Sequence, residues 1–223
     1  MKLPIEVPVM TLPNATLFPH SLLPLYIFEP RYRQMLVDSL HTNRMFSVAM
    51  QKPGRTRETP SPVAGLGLIR VSVGHNDGTS HLVLQGIARV ELVETVRYKP
   101  YRVQRIRPLS SPPCNDVVVD ALLAKVRELL EERLALGLGF PSPAVGKSGA
   151  NEPITGISAK DVLQYLDKLT DPEQLADQVS CAVLDGAADR QTILETVNLE
   201  TRLKTLIHFL MAEIARHRKD KER

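Results

Sequence analysis

The chain has 223 residues, 43% of them hydrophobic and 24% charged, a composition that supports a buried core and argues against disorder. A formal net charge of +3 is small for that length and speaks against a densely basic nucleic-acid binder. No apolar run approaches the ~20 residues that span a bilayer, and Pro4, Glu6 and Pro8 interrupt any signal-type segment. Cys114 and Cys181 lie far apart in unlike contexts. They suit neither a disulfide framework nor a four-ligand zinc site, and the expected setting is reducing and cytoplasmic.

In chain order, Ile5, Val7 and Val9 alternate with polar or proline positions, the period of a half-buried strand. Leu12 to Leu40 then changes character halfway. Pro13, Pro19 and Pro24 keep the first half extended and irregular, with a second strand near Leu22 to Phe28. From Glu29 the pattern is helical: Pro30 suits the first helical position, and Tyr32, Met35, Leu36, Ser39 and Leu40 share a face. Met45 to Met50 reads as a short buried strand, and Gln51 to Pro62 as a polar loop.

From Gly65 onward the chain is β-rich. Leu66, Leu68, Val71 and Val73 shift parity near Ile69 and Arg70, which predicts a bulge in a strand bent around a barrel. Asn76-Asp77-Gly78 closes a hairpin, Leu82 and Leu84 lie on its return strand, and Gly86 is expected to break that strand before Val90, Leu92 and Val93 begin another. Val103 and Ile106 continue the sheet. Short strands with one early helix imply a small closed or half-open β barrel.

Leu109 to Pro113 marks a boundary between 1–110 and 111–223. Beyond it, Val119, Leu122, Leu123, Val126, Leu129, Leu130 and Leu134 recur at helical spacing. Gly137 to Pro153 is a loop, and Ser158 with Asp161 and Asp171 with Pro172 and Gln174 are helix-start signals. A last helix begins near Asn198, with Leu199, Leu203, Leu206, Ile207, Leu210 and Ile214 as its buried stripe and a basic end that suits the helix dipole. Four or five helices are expected to form a bundle, so the fold class is α+β.

The run with Phe18-Pro19 and Phe28-Glu29-Pro30-Arg31-Tyr32 resembles the start of the Lon N-terminal domain family. It is similar to free-standing Lon-domain proteins and to the Lon-like domain of cereblon. Asp77-Gly78 with Leu82, Leu84, Gly86, Ala88 and Arg89 resembles that family's hairpin. Asp171 to Asp177 and Ile193 to Leu203 resemble segments of its helical half. The likeness runs from about Pro4 to about His217 and implies a PUA-like β lobe followed by a helical bundle. It implies a domain that binds polypeptide substrates, unfolded or damaged chains, and that works with a protease or chaperone in quality control without being an enzyme itself.

Gly146-Lys147-Ser148 lacks the first glycine of a phosphate-binding loop, since that position is Pro141. No serine or lysine has a nucleophile and base context, so no catalytic residue is assigned. His75 and His81 flank the hairpin turn and can meet across it, but two histidines alone make a poor metal site, and no metal or cofactor is expected. Two surfaces remain as candidates. Phe18, Leu22, Tyr26, Phe28, Tyr32 and Met45 are the candidate peptide-binding residues, of which two or three at most should be exposed while the rest fill the core. Arg97, Lys99, Arg102, Arg105 and Arg107, interleaved with Tyr98 and Tyr101, form the alternative, an RNA-binding stretch; its competing reading is the charged outer face of an edge strand pair.

Overall fold

The alternation at Val7 and Val9 becomes strand β1 (Glu6–Leu12), in which both are fully buried, while Ile5 lies outside the strand and is exposed. The computed structural model describes residues 2–55, 58–139, 164–166 and 168–221. After β1 come β2 (Leu22–Ile27), helix α1 (Pro30–Leu40), β3 (Met45–Met50), β4 (Val63–Gly74), β5 (Ser80–Arg97) and β6 (Arg102–Leu109). The helices that follow are α2 (Asp116–Ala135), α3 (Pro172–Val183), α4 (Ala187–Glu195) and α5 (Leu199–Lys221). The chain divides into two compact units, 1–110 and 111–223.

In the first unit the strand order is β2-β5-β4-β3-β1-β6, and β5 also pairs with β6. Five strands therefore close into a ring, with β2 hydrogen-bonded to the outside of β5. Only β1 and β3 run parallel, and α1 lies in the crossover that this geometry requires. The structure corrects one expectation here. Gly86 does not end a strand; β5 runs unbroken for 18 residues. Its first half pairs with β2 and β4 and its second with β6. Register shifts at Ile69/Val71, where the parity change predicts a bulge, and at Leu92/Glu94 bend the sheet into the barrel.

Strand β3 is buried at every position because it has two apolar sides. Met45 and Ala49 join Val7, Val9, Leu66 and Val90 in one core cluster, whereas Phe46 and Val48 join Met35 and Leu36 of α1 in another. Glu29 precedes α1 with Pro30 in its first turn, and Tyr32, Met35, Leu36 and Ser39 are its buried face.

The segment 17–21 lies directly against the sheet. Leu17 and Phe18 are fully buried. A Cβ on Gly65 would sit 2.0 Å from the Leu17 carbonyl oxygen, and one on Gly86 1.9 Å from that of Phe18. Only glycine leaves the room this backbone needs. The His20 amide donates to the Gly86 carbonyl at 2.8 Å and the Gly86 amide donates to Ser21 at 2.9 Å. Thus the crossing segment is clamped to β5 just before β2 begins.

In the second unit the stop and start chemistry follows the sequence. The Asn115 side chain caps α2, Asp171 caps α3 with Pro172 in its first turn, and the Asn198 carboxamide oxygen accepts from the Thr201 amide at the head of α5. Ser158, Asp161 and Gly146-Lys147-Ser148 lie outside the described residues. Helices α2 and α5 pack along each other, burying Val119, Leu123, Val126 and Leu130 of one and Leu203, Leu206 and Leu210 of the other.

Two arginines interrupt these apolar stripes. Arg133 is buried and grips Glu213 with two bonds of 2.9 and 3.0 Å, its remaining nitrogen donating to the carbonyls of Leu138 and Gly139. Arg202, 1% exposed, reaches Asp177 at 3.2 Å, the carbonyls of Thr196 and Val197 at 2.9 and 2.8 Å, and the Ser111 hydroxyl at 3.2 Å. Apolar periodicity does not announce such residues; what makes their burial tolerable is that the charge is paired and the donors are used.

Two stability predictions follow from the clamp and from Arg202. Gly86→Ala should lower unfolding free energy by at least about 1–3 kcal/mol, the range for overpacking, read as a shift in urea midpoint. Asp177→Ala removes the buried carboxylate beside Arg202, leaving only the more exposed Glu173 at 3.5 Å, and should cost about 3–5 kcal/mol, measured the same way, whereas Arg202→Met with Asp177→Leu should recover part of that loss.

Candidate polypeptide-binding face

Strand β2 exposes Leu22, Pro24 and Tyr26 and turns Leu23, Leu25 and Ile27 inward. Its register sets Pro24 beside Val83 and Tyr26 beside His81 on β5, while Val71 and Val73 of β4 pair with Val83 and His81. Directly paired residues share a face. The outer surface of β2, β5 and β4 is therefore one apolar and aromatic patch, and Phe28 extends it past the end of β2. Leu22 is 62% exposed and Phe28 58%, and Tyr26, Val71 and Val73 are about half exposed. The ring of Tyr26 stacks on Phe28 at 5.9 Å and meets His81 at 4.8 Å. His75 and His81 meet across the hairpin with ring nitrogens 2.7 Å apart.

The edge of this patch is blunted. On the sheet, β2 has β5 as a neighbour on one side only. Its pairing to β5 runs through Pro24 without a register shift, which directs the donorless proline nitrogen to the open side and weakens that edge as a template for another strand. The face, rather than the edge, is thus the available surface. Polar contacts rim it: Arg70 donates to Gln85, and Arg33 lies over the turn at Gly78. Hydrogen bonds from the Thr79 side chain and amide hold the Asp77 carboxyl below its usual range and fasten the turn.

The six sequence-derived peptide-binding candidates separate cleanly. Leu22, Tyr26 and Phe28 belong to the patch. Phe18, Tyr32 and Met45 do not: they are 0%, 4% and 5% exposed and form part of the core. The hydroxyl of Tyr32 is spent on the Thr11 backbone, both accepting from its amide and donating to its carbonyl. Val71, Val73, Val83 and His81 complete the patch and were missed by sequence reading. Their signal was an apolar residue on the polar side of a bulged hairpin, legible only once the bulge fixes which side is which.

The basic stretch is dispersed by the fold. Arg105 pairs with Glu6 and Glu94, and Arg107 with Glu91. Arg97 lies over the ring of Tyr101. The edge-pair reading is corrected too, since β6 has β1 on one side and β5 on the other. Lys99 and Arg102 instead line a cleft of about 280 Å³ together with Arg31, Tyr32, Glu58, Tyr98 and Tyr101. Burial pushes the Tyr32 hydroxyl above its ordinary pKa; Tyr101 is raised as well, by burial and by its hydrogen bond to Asp38. That same bond, with one from Gln34, holds the Asp38 carboxyl low.

Among the described residues no group of three or more potential metal ligands gathers, and no helix is long and apolar enough to cross a membrane. What the outer face of β2, β5 and β4 offers chemically is apolar contact.

A closed five-stranded barrel with an appended strand, followed by a helical unit, defines the class. Residues 6–212 match the model of the ATP-dependent protease La (LON) substrate-binding domain, and the chain belongs to that family. It is 24% identical over 208 residues to Lon protease of Desulfosudis oleivorans, an alignment that covers 91% of this chain and 23% of the relative. The chain spans about a quarter of the length of the curated relatives it matches. Its fold is similar to the N-terminal domain of Mycobacterium avium complex Lon protease, with a TM-score of 0.69 at 18% identity, covering 92% of this chain and 98% of that one. The Lon N-terminal domain protein of Xanthomonas campestris is similar with a TM-score of 0.56 at 16% identity, over 91% and 97% of the two chains.

The raised tyrosines predict an alkaline limit to stability. A hydroxyl that ionises later in the folded than in the unfolded chain contributes stability that is complete below the ordinary tyrosine value near 10 and is lost as pH rises through the folded value. Urea midpoints should therefore fall as pH rises above about 10, and Tyr32→Phe should flatten that fall.

Proposed function

We propose that this domain is a non-catalytic polypeptide-binding module whose outer β2-β5-β4 face receives apolar segments of unfolded or damaged proteins. The observation that carries this reading is the contiguous exposed patch of Leu22, Tyr26, Phe28, Val71 and Val73 in a chain of a substrate-binding family. Apolar contact is non-directional, so such a patch accepts many sequences. Full burial of a large apolar side chain is worth about 1.5–3 kcal/mol, so each half-exposed one has about 1 kcal/mol left to give. Three together suit a reversible hold on a client rather than a permanent complex.

In this reading the domain serves as an adaptor in protein quality control, presenting clients to a protease or chaperone in the cytoplasm. The unpaired cysteines, Cys114 and Cys181, suit such a reducing compartment. RNA binding along Arg97 to Arg107 has less support, because Arg105 and Arg107 already face carboxylates.

Binding of a fluorescein-labelled, chemically unfolded model protein, followed by anisotropy, tests the proposal. Replacing Leu22, Tyr26 and Phe28 together by Ser should weaken it at least about tenfold without lowering the melting temperature. Val117→Ser, an exposed apolar residue of α2, should leave it unchanged. A folded triple variant that binds like the parent would overturn the assignment of this face.

A further inference from the structure

The cleft lined by Lys99 and Arg102 shares no residue with the outer face, and its composition is unlike a peptide groove. Three cations, Arg31, Lys99 and Arg102, stand against one carboxylate, Glu58, within about 280 Å³. That volume is at the small end for a ligand pocket and suits a few heavy atoms, not a chain segment.

Its donors are unequally used. Arg31 is committed to Glu29 and Glu58. Arg102 gives one terminal nitrogen to the Glu58 carbonyl at 2.9 Å and the other a long contact of 3.5 Å to the Thr95 hydroxyl. Its Nε is shielded from solvent and has no hydrogen-bond partner. The terminal nitrogen with only the 3.5 Å contact is therefore the Arg102 donor left for an acceptor, and a charge-assisted bond to an anion in the cleft uses it. Lys99 makes no ion pair among the described residues, so its ammonium adds an uncommitted charge.

Tyrosine rings hold these cations in place. Arg31 lies 4.3 Å from the centroid of Tyr32, and Arg102 5.1 Å from that of Tyr98. The hydroxyls of Tyr32 and Tyr101 are spent on Thr11 and Asp38, which leaves the rings as walls. The first turn of α1 also opens on the cleft through Arg31 and Tyr32, and the Glu29 side chain makes no cap bond there. The positive end of the helix therefore adds to the field.

We infer that this cleft is a binding site for a phosphate group, held by Arg102 and Lys99 against the Tyr98 ring. The surplus of cations over carboxylates in the lining matches a dianion. The phosphate has two possible sources, free inorganic phosphate or the phosphate of a small aromatic ester, and the tyrosine wall adds contact only for the second.

Isothermal titration calorimetry of the whole chain at low ionic strength, with inorganic phosphate in one arm and phenyl phosphate in the other, tests the site. One-to-one binding in the millimolar range or tighter is expected, with phenyl phosphate the stronger if the ester is the natural form and equal if free phosphate is. Arg102→Gln should weaken it about tenfold, the usual worth of a hydrogen bond to a charged group, and Lys99→Ala, at the surface and harmless to folding, severalfold. The Leu22, Tyr26 and Phe28 serine variant should bind phosphate as the parent does, which separates this site from the polypeptide face. Absence of heat in both arms at millimolar ligand would overturn the inference. So would an Arg105→Gln variant that loses as much affinity as Arg102→Gln, because the attraction would then be that of a basic strand and not of this cleft.

Discussion

Everything in the barrel unit depends on how closely one short backbone segment approaches the sheet. Residues 17–21 cross β4 and β5 at a distance that no side chain on Gly65 or Gly86 would allow. The two hydrogen bonds to Gly86 then fix where the chain enters β2. Burial of Leu17 and Phe18 supplies the driving force, since full burial of side chains of this size contributes about 1.5–3 kcal/mol each. The glycines supply the space. Without that space the same hydrophobic residues would have to lie farther from the sheet, and both β2 and the patch it carries would lose their anchor.

Much of this was legible in the sequence. The corner from Leu12 to Leu40, the bulge near Ile69, the hairpin at Asn76 to Gly78, the caps at Asp171 and Asn198, and the order of strands before helices are all written in turn chemistry and periodicity. Gly86 was misread because glycine in a strand pattern has two meanings, an interruption or a place where another backbone comes close. Only the partner, residues 17–21, decides between them. The partition of Leu22, Tyr26 and Phe28 from Phe18, Tyr32 and Met45 was hidden for a related reason. Strand β2 is apolar on both sides, so alternation shows that two faces exist but not which one meets water. Arg133 and Arg202 were hidden because a helical stripe marks which positions face inward, not that a cation among them has found its acceptors.

The charge pattern has a similar lesson. Five cations between Arg97 and Arg107 form a dense run in one dimension, yet the barrel sends them to different places. Cross-strand carboxylates neutralise Arg105 and Arg107, a tyrosine ring takes Arg97, and only Lys99 and Arg102 converge on a concave surface. Strand alternation separates neighbours in sequence. A linear basic stretch on a β strand is therefore weaker evidence for an electrostatic surface than the same run on a helix.

The reach of Arg202 governs where the helical unit tolerates interruption. Its guanidinium joins Ser111 at the start of the unit, Asp177 on α3, and the turn at Thr196 and Val197 that leads into α5. These points span most of the unit's length in sequence, yet they meet at a single planar group. A partial set of helices would leave that charge in the interior without its acceptors. Formation of α5 is thus coupled to that of α3 and to the placing of the Ser111 and Thr196–Val197 segments, and a fragment that keeps α5 but omits α3 or the Ser111 segment is unsuited to folding independently.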